Sequence, residues 1–259
     1  MRVGGVRAGL FLCVLAALSP AAASAEPVSG PRETVDQSLT TTKPGAPTGL
    51  RYNASYHAAG DPKGNPPFLL KMAFYPPPGF RYDTSVPDQC TASDAELASQ
   101  GAAACPAGSR LGRGTADGIF YYPFSDAIFD RYHHDTDVVN NAGEQIVLVN
   151  SEGSTVVRGK FQPDGSLVFD TTTCFPAPPP GAQCADDYIL QLGTTSDIPA
   201  LTRTIAGRLR SYATTPPKCP KRRYWETTIR FWWRDGSVDT VASRQPCTRP
   251  KPKKKHRRH

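Results

Sequence analysis

With 259 residues, 39% of them hydrophobic and 20% charged, the chain is long enough to bury a substantial core. The formal charge of +7 is a poor guide to the folded part: Arg249, Lys251, Lys253, Lys254, Lys255, Arg257 and Arg258 supply seven positive charges and Arg2 and Arg7 two more, which leaves residues 26–247 at a net −2. No period of roughly 20 to 50 residues repeats, which excludes a solenoid or propeller.

Residues 1–25 read as a cleavable signal peptide. Arg2 and Arg7 precede an apolar run from Ala8 to Leu18, and Ala23-Ser24-Ala25 then forms a small-x-small cleavage site before Glu26. The run is about half of the roughly 20 apolar residues that a membrane helix needs, and no later stretch replaces it. Cys13 follows Leu12, where a lipoprotein signal would need a small residue. The mature chain keeps Cys90, Cys105, Cys174, Cys184, Cys219 and Cys247, an even set that in an exported protein reads as disulfides. Sequential pairing closes the shortest loops, each worth about 3 kcal/mol in the chain-entropy model, although other connectivities remain open. There is no CxxC, and the spacings match no zinc finger.

Residues 26–47, rich in Ser, Thr, Pro and Gly, are expected to form a flexible leading segment. Alternation then puts Leu50, Tyr52, Ala54 and Tyr56 on one face of a strand and Arg51, Asn53, Ser55 and His57 on the other. Phe68, Leu70, Met72 and Phe74 make a second stripe, ended by Pro76-Pro77-Pro78-Gly79. Ser93-Asp94-Ala95-Glu96 matches a capping box and predicts one short helix up to Gly101.

Short strand signals follow at 119–122, 127–132, 145–150, 155–161, 167–170, 187–192 and 201–212, with a turn at Pro163-Asp164-Gly165-Ser166. Asp235-Gly236 predicts a two-residue hairpin turn that pairs Trp233 with Val238 and Phe231 with Thr240. Trp225, Thr227, Ile229, Phe231 and Trp233 then share one face. The expected architecture is one all-β domain over residues 48–247, a β-sandwich or jelly roll with one short helix and three disulfides. Residues 248–259 are expected to form a disordered basic tail.

Two blocks of sequence carry a resemblance. Tyr75-Pro76-Pro77-Pro78-Gly79, Cys90 and Cys105-Pro106 followed by Ser109-Arg110, Gly112, Gly114 and Ala116 make the first. Thr215-Pro216-Pro217, Cys219-Pro220, an aromatic strand with Trp225, Thr227 and Thr228, then Asp235-Gly236, Cys247 and a basic tail make the second. Both are similar to a large, uncharacterised family of secreted actinobacterial β-rich proteins. The resemblance implies export, a β-rich fold and bonds Cys90–Cys105 and Cys219–Cys247; it implies no activity.

Chemistry is sparse. Tyr132-His133-His134-Asp135-Thr136-Asp137, with Asn140 and Asn141, reads as a polar loop. An EF-hand counted from Asp135 would need Gly and Glu where Asn140 and Ile146 stand. Adjacent histidines in a strand point to opposite faces, so at most one reaches a given metal; no metal or cofactor is expected. A general base is limited to His57, His133 or His134, and no G-x-S-x-G or HExxH motif is present. Asp186 and Asp187 are adjacent and do not form a glycosidase pair. Gly112, Gly114 and Gly118 precede no helix, so close backbone packing accounts for them rather than a phosphate cradle.

Two binding features remain. Trp232, Tyr224 and Arg230 fall on the face of the last hairpin opposite its apolar stripe, a possible platform for a sugar ring or a protein partner. The tail residues Lys251, Lys253, Lys254, Lys255, Arg257 and Arg258 attract polyanions. Outside a cell these are membrane phosphates or anionic wall polymers rather than nucleic acid. The sequence thus points to a secreted, non-enzymatic protein at the cell surface or wall, with a binding or structural role. A carbohydrate-binding module and a hydrolase with dispersed catalytic residues are the alternatives.

Overall fold

A computed structural model describes residues 26–121, 128–151, 154–171 and 189–248. In chain order the strands are β1 (Val28–Ser29), β2 (Glu33–Leu39), β3 (Leu50–Tyr56), β4 (Leu69–Tyr75), β5 (Arg81–Tyr82), β6 (Arg110–Tyr121), β7 (Ile128–Asn141), β8 (Glu144–Asn150), β9 (Ser154–Phe161), β10 (Leu167–Asp170), β11 (Ile189–Ile198), β12 (Thr202–Ile205), β13 (Arg208–Ser211), β14 (Ala213–Thr214), β15 (Tyr224–Trp233) and β16 (Val238–Pro246), with helix α1 (Asp94–Gln100) before β6. Twelve strands make one antiparallel sheet in the order β1-β2-β3-β11-β6-β7-β8-β9-β10-β4-β15-β16. This sheet curls until β2 and β16 lie side by side, which gives a nearly closed barrel and not the expected sandwich or jelly roll.

No backbone ladder joins β2 to β16; side chains close the seam instead. Gln245 is 2% exposed, and its amide accepts from the Leu39 N–H at 3.1 Å and donates to the Gln37 carbonyl, standing in for a missing peptide group. Ser243 Oγ also donates to the Gln37 carbonyl, at 3.3 Å. At one end Arg32 Nη1 holds Asp239 at 2.9 Å, and at the other the Thr248 N–H donates to the Thr42 carbonyl at 2.8 Å. An unpaired edge is a template for aggregation, and the seam removes both at once.

Residues 26–47, expected to be a flexible leading segment, therefore include one side of the seam. Glu33, Val35, Gln37 and Leu39 alternate inward and are buried. Their hydropathy shows no period because two of the four inward positions are polar.

Strand β3 has the predicted bounds and faces. On β4 the stripe slips: a bulge between Trp232 and Trp233 sets Leu69, not Leu70, on the inner face together with Met72 and Phe74. The last hairpin keeps its buried stripe of Trp225, Thr227, Ile229, Phe231 and Trp233, but its register is displaced by one residue. Trp232 pairs with Val238 and Phe231 with Asp239. The cause lies in the turn: the Gly236 N–H bonds the Trp233 carbonyl and Gly236 has φ +82°, while Asp235 accepts from the Ser237 N–H. A three-residue loop with glycine in the left-handed region replaces the two-residue turn. The expected strand over 201–212 is instead the small ribbon β12 with β13, turned by Ala206-Gly207.

Helix α1 forms on the predicted capping box: Glu96 N–H bonds Ser93 Oγ and the Glu96 carboxylate accepts from the Ser93 N–H at 2.8 Å. Its buried Leu97 packs on the outer face of β7, β8 and β9 against Val139, Ile146, Leu148 and Val156. Arg158 holds Asp94 at 2.6 Å and Glu144 at 2.7 Å beside it. The disulfide Cys90–Cys105 brackets the helix, and Cys219–Cys247 joins the chain before β15 to the end of β16. Three disulfides were expected; two are present among the described residues, and Cys174 and Cys184 lie outside them. Residues 1–25 and 249–259, with the signal-peptide and tail readings, also fall outside. Among the described residues no helix is long and apolar enough to cross a membrane.

Candidate functional site: a cavity inside the barrel

Inward side chains fill the barrel at one end and along one side. Phe80, Leu111, Tyr212 and Trp225 pack together near Cys219–Cys247, and Val35, Tyr56, Ile229, Phe231 and Trp233 pack between β2, β3, β15 and β16. Between β11-β6-β7 and β9-β10-β4 the filling fails. A cavity of about 180 Å³ remains, with a mostly apolar lining.

Small residues on β6 open this space. Its inner face presents Gly114, Ala116 and Gly118, and a Cβ on Gly114 would strike the Thr195 carbonyl of β11. A Cβ on Gly118 would strike the Tyr132 ring and the Leu190 carbonyl. Close backbone approach explains these glycines, as the sequence indicated, and β6 continues through them as a strand of 12 residues. The opposite wall is apolar: Met72, Phe74, Val157, Leu167 and Phe169. Phe74 meets Phe169 edge to face with centroids 6.3 Å apart, and Phe120 lies 4.7 Å from Tyr132.

The histidine segment is not a loop but part of β7, a strand of 14 residues. Its two histidines diverge as strand geometry requires. His133 is exposed and its Nδ1 lies 2.5 Å from Asp117 Oδ1; that hydrogen bond and charge raise its pKa above the ordinary histidine value. His134 lines the cavity, stacked on Tyr132 with centroids 5.2 Å apart. Asp137 serves Arg110, Arg113 and Asn150, and Asn140 donates to the carbonyls of Thr84 and Asp88, holding the segment before α1. These are structural roles.

Two of the residues lining the cavity carry a buried polar atom without a partner among the described residues. Thr136 is 2% exposed, and its Oγ1 finds no hydrogen-bond partner among the described residues; the same holds for Gln37 Oε1. The register shows why for Thr136: it is flanked by Gly114 on β6 and Val149 on β8, neither of which carries a polar side chain. Two other lining hydroxyls have partners. Thr194 Oγ1 donates to the Thr115 carbonyl at 3.2 Å and Tyr52 Oη to Met72 Sδ at 3.3 Å.

On the outer face of β15, Tyr224, Arg230 and Trp232 share a side but not one platform. Six residues separate Tyr224 from Arg230, about 20 Å along a strand. Each ring is already covered: Lys71 lies over Trp232 at 5.2 Å, Arg222 and Arg244 over Tyr224 at 4.6 and 5.0 Å, and Arg230 itself over Tyr75 at 5.5 Å. His57 Nδ1 pairs with the Ala58 carbonyl at 2.9 Å. Among the described residues no group of three or more His, Cys, Asp or Glu side chains is placed to hold a metal ion.

The arrangement defines a nearly closed antiparallel barrel with an internal, mostly apolar cavity. No protein-family model, curated protein or solved structure matches the chain. The cavity was not foreseen from sequence, because its walls come from glycines that leave no hydropathy period and from a threonine inside a polar string.

Proposed function

We propose that this chain is an exported, non-enzymatic binding protein whose barrel holds a small apolar ligand, with the basic tail tethering it at an anionic cell surface. The observation that carries the reading is the cavity of about 180 Å³ inside the barrel, with its mostly apolar walls. An engineered apolar cavity of about 150 Å³ takes up benzene, so this space suits a ligand of one ring. Two disulfides, a leader-like N-terminus and the absence among the described residues of a membrane-crossing helix all accord with an extracytoplasmic site. They also accord with the resemblance to secreted actinobacterial proteins.

Toluene is the direct probe. At about 100 times its Kd it is expected to stabilise the fold by about 2.7 kcal/mol, read as a rise in Tm. Val157→Phe, which projects a ring into the cavity, should abolish the rise while leaving a cooperative transition. An unchanged Tm in the native protein at saturating toluene would end the ligand reading. For the tail, deletion of residues 248–259 or added salt should release the protein from isolated cell envelopes, since attraction by exposed charges is screened. Retention insensitive to both rules the tether out.

A further inference from the structure

Resting on the ligand reading above, we infer that the cavity is built for a small, neutral aromatic alcohol, with Thr136 as the residue that takes its hydroxyl. Three observations converge. The volume, about 180 Å³, fits one substituted ring, and Phe74, Phe120, Tyr132 and Phe169 offer ring edges and faces to it. Among the described residues no buried charge waits inside: the only Lys, Arg, Asp or Glu of the lining is Arg51, whose side chain is 60% exposed and paired with Asp197 at 3.3 Å. An ionised ligand would be left without a counter-charge in an apolar space, which is strongly unfavourable. Finally, Thr136 and Gln37 are lining residues whose Oγ1 and Oε1 are buried without partners among the described residues. A buried polar group left unpaired is destabilising, and native proteins rarely keep one without a use.

Ladder register links the two residues through four strand pairings. Gln37 pairs with Tyr52 and Tyr52 with Ser196, while Gly114 pairs with Thr136 on the far side of β6. A ligand hydroxyl on the β7 side of the cavity bonds Thr136 as donor or acceptor, with its ring directed toward the apolar wall of β10 and β4. A site that hydrogen-bonds a ligand hydroxyl discriminates against the analogue lacking it, because the protein group is then stranded.

The test compares p-cresol with toluene, which differ by that hydroxyl, by calorimetric titration of the full chain and of Thr136→Val and Thr136→Ser. The expected result is that the ratio of the toluene Kd to the p-cresol Kd falls about tenfold in Thr136→Val and stays within about twofold of native in Thr136→Ser. Toluene affinity itself should be unchanged in both variants. Thr136→Val is nearly isosteric and removes an unpaired hydroxyl, so the unliganded variant should melt no lower than the native protein. Binding of both molecules with a ratio indifferent to Thr136→Val overturns the assignment of Thr136 but leaves the apolar-ligand reading intact. Failure of the native protein to bind either molecule overturns both.

Discussion

Gln245→Leu is expected to lower the stability of the fold by about 3 kcal/mol, measured by chemical denaturation. Leucine keeps the volume but strands the Leu39 N–H and leaves the Gln37 carbonyl only its 3.3 Å bond from Ser243 Oγ. Each buried backbone group left unpaired costs about 1–3 kcal/mol. The loss should exceed that for an equally buried residue of the ladder-paired wall, such as Ile146→Val at about 1 kcal/mol. A Gln245→Leu protein as stable as the native one would mean that the backbone of β2 and β16 closes the seam without this side chain. Gln245→Glu offers a finer reading: the ionised carboxylate keeps the acceptor and loses the donor, while the protonated carboxyl regains an O–H donor, so more of the stability should survive where the new carboxyl is protonated.

A second large effect concerns pH. Glu33 has no accessible surface and faces inward beside Asp239 of β16. Burial, then the Asp239 charge, pushes its pKa up from 4.5 to about 7, against the opposing pull of the Arg32 backbone N–H and guanidinium. The carboxyl groups and phenols around it, Asp239, Tyr52 and Tyr56, offer no positive charge, and Arg32 is engaged with Asp239 and Asp235. Because the folded state holds this proton more tightly than the unfolded chain, the contribution of Glu33 is most favourable below pH 4.5. It is lost as pH rises through about 7 and is level above that. A shift of this size corresponds to roughly 3 kcal/mol.

Glu33→Gln copies the protonated form. It should therefore match the native protein at pH 4 and exceed it by roughly 3 kcal/mol at pH 8, with the difference growing between those limits. Subtracting the variant from the native protein removes the carboxylates that behave oppositely: Asp83, Asp164 and Asp235 have lowered pKa values through their serine and arginine partners and destabilise the fold as pH falls. A difference between the two proteins that does not change with pH would show that folding leaves the Glu33 pKa where it is in the unfolded chain.

Much of the local structure was legible in the sequence, and little of the site. Where one face of an element is apolar the period stands out: the alternation in 50–56 and the aromatic stripe of 225–233 fixed their inward faces correctly. The capping box at Ser93 and Glu96 is a short-range signal and survived intact. Legibility failed where the inward face is itself polar or small. Glu33 and Gln37 hid β2, glycines 112, 114 and 118 hid the first half of β6, and the histidine and aspartate string hid β7. These are the strands that make the seam and the cavity, so the barrel and its interior vanished together from the pattern. The hairpin register was missed by one residue because Asp235-Gly236 serves equally in a two-residue and a three-residue loop. The difference lies in whether Arg234 joins the turn.

The seam also dictates when the molecule can become itself. Its hydrogen bonds join residues 206 and 208 positions apart in the chain. A growing polypeptide that has emerged through β15 still shows two open edges, β2 on one side and β15 on the other. Only when the last strand arrives does either edge vanish. Contacts of such separation are slow to form, and until they do each exposed edge can pair with the same edge of a neighbouring copy. Assembly of this protein is thus a race between its own C-terminal strand and other unfinished chains, and dilution or a chaperone that shields β2 favours the right winner.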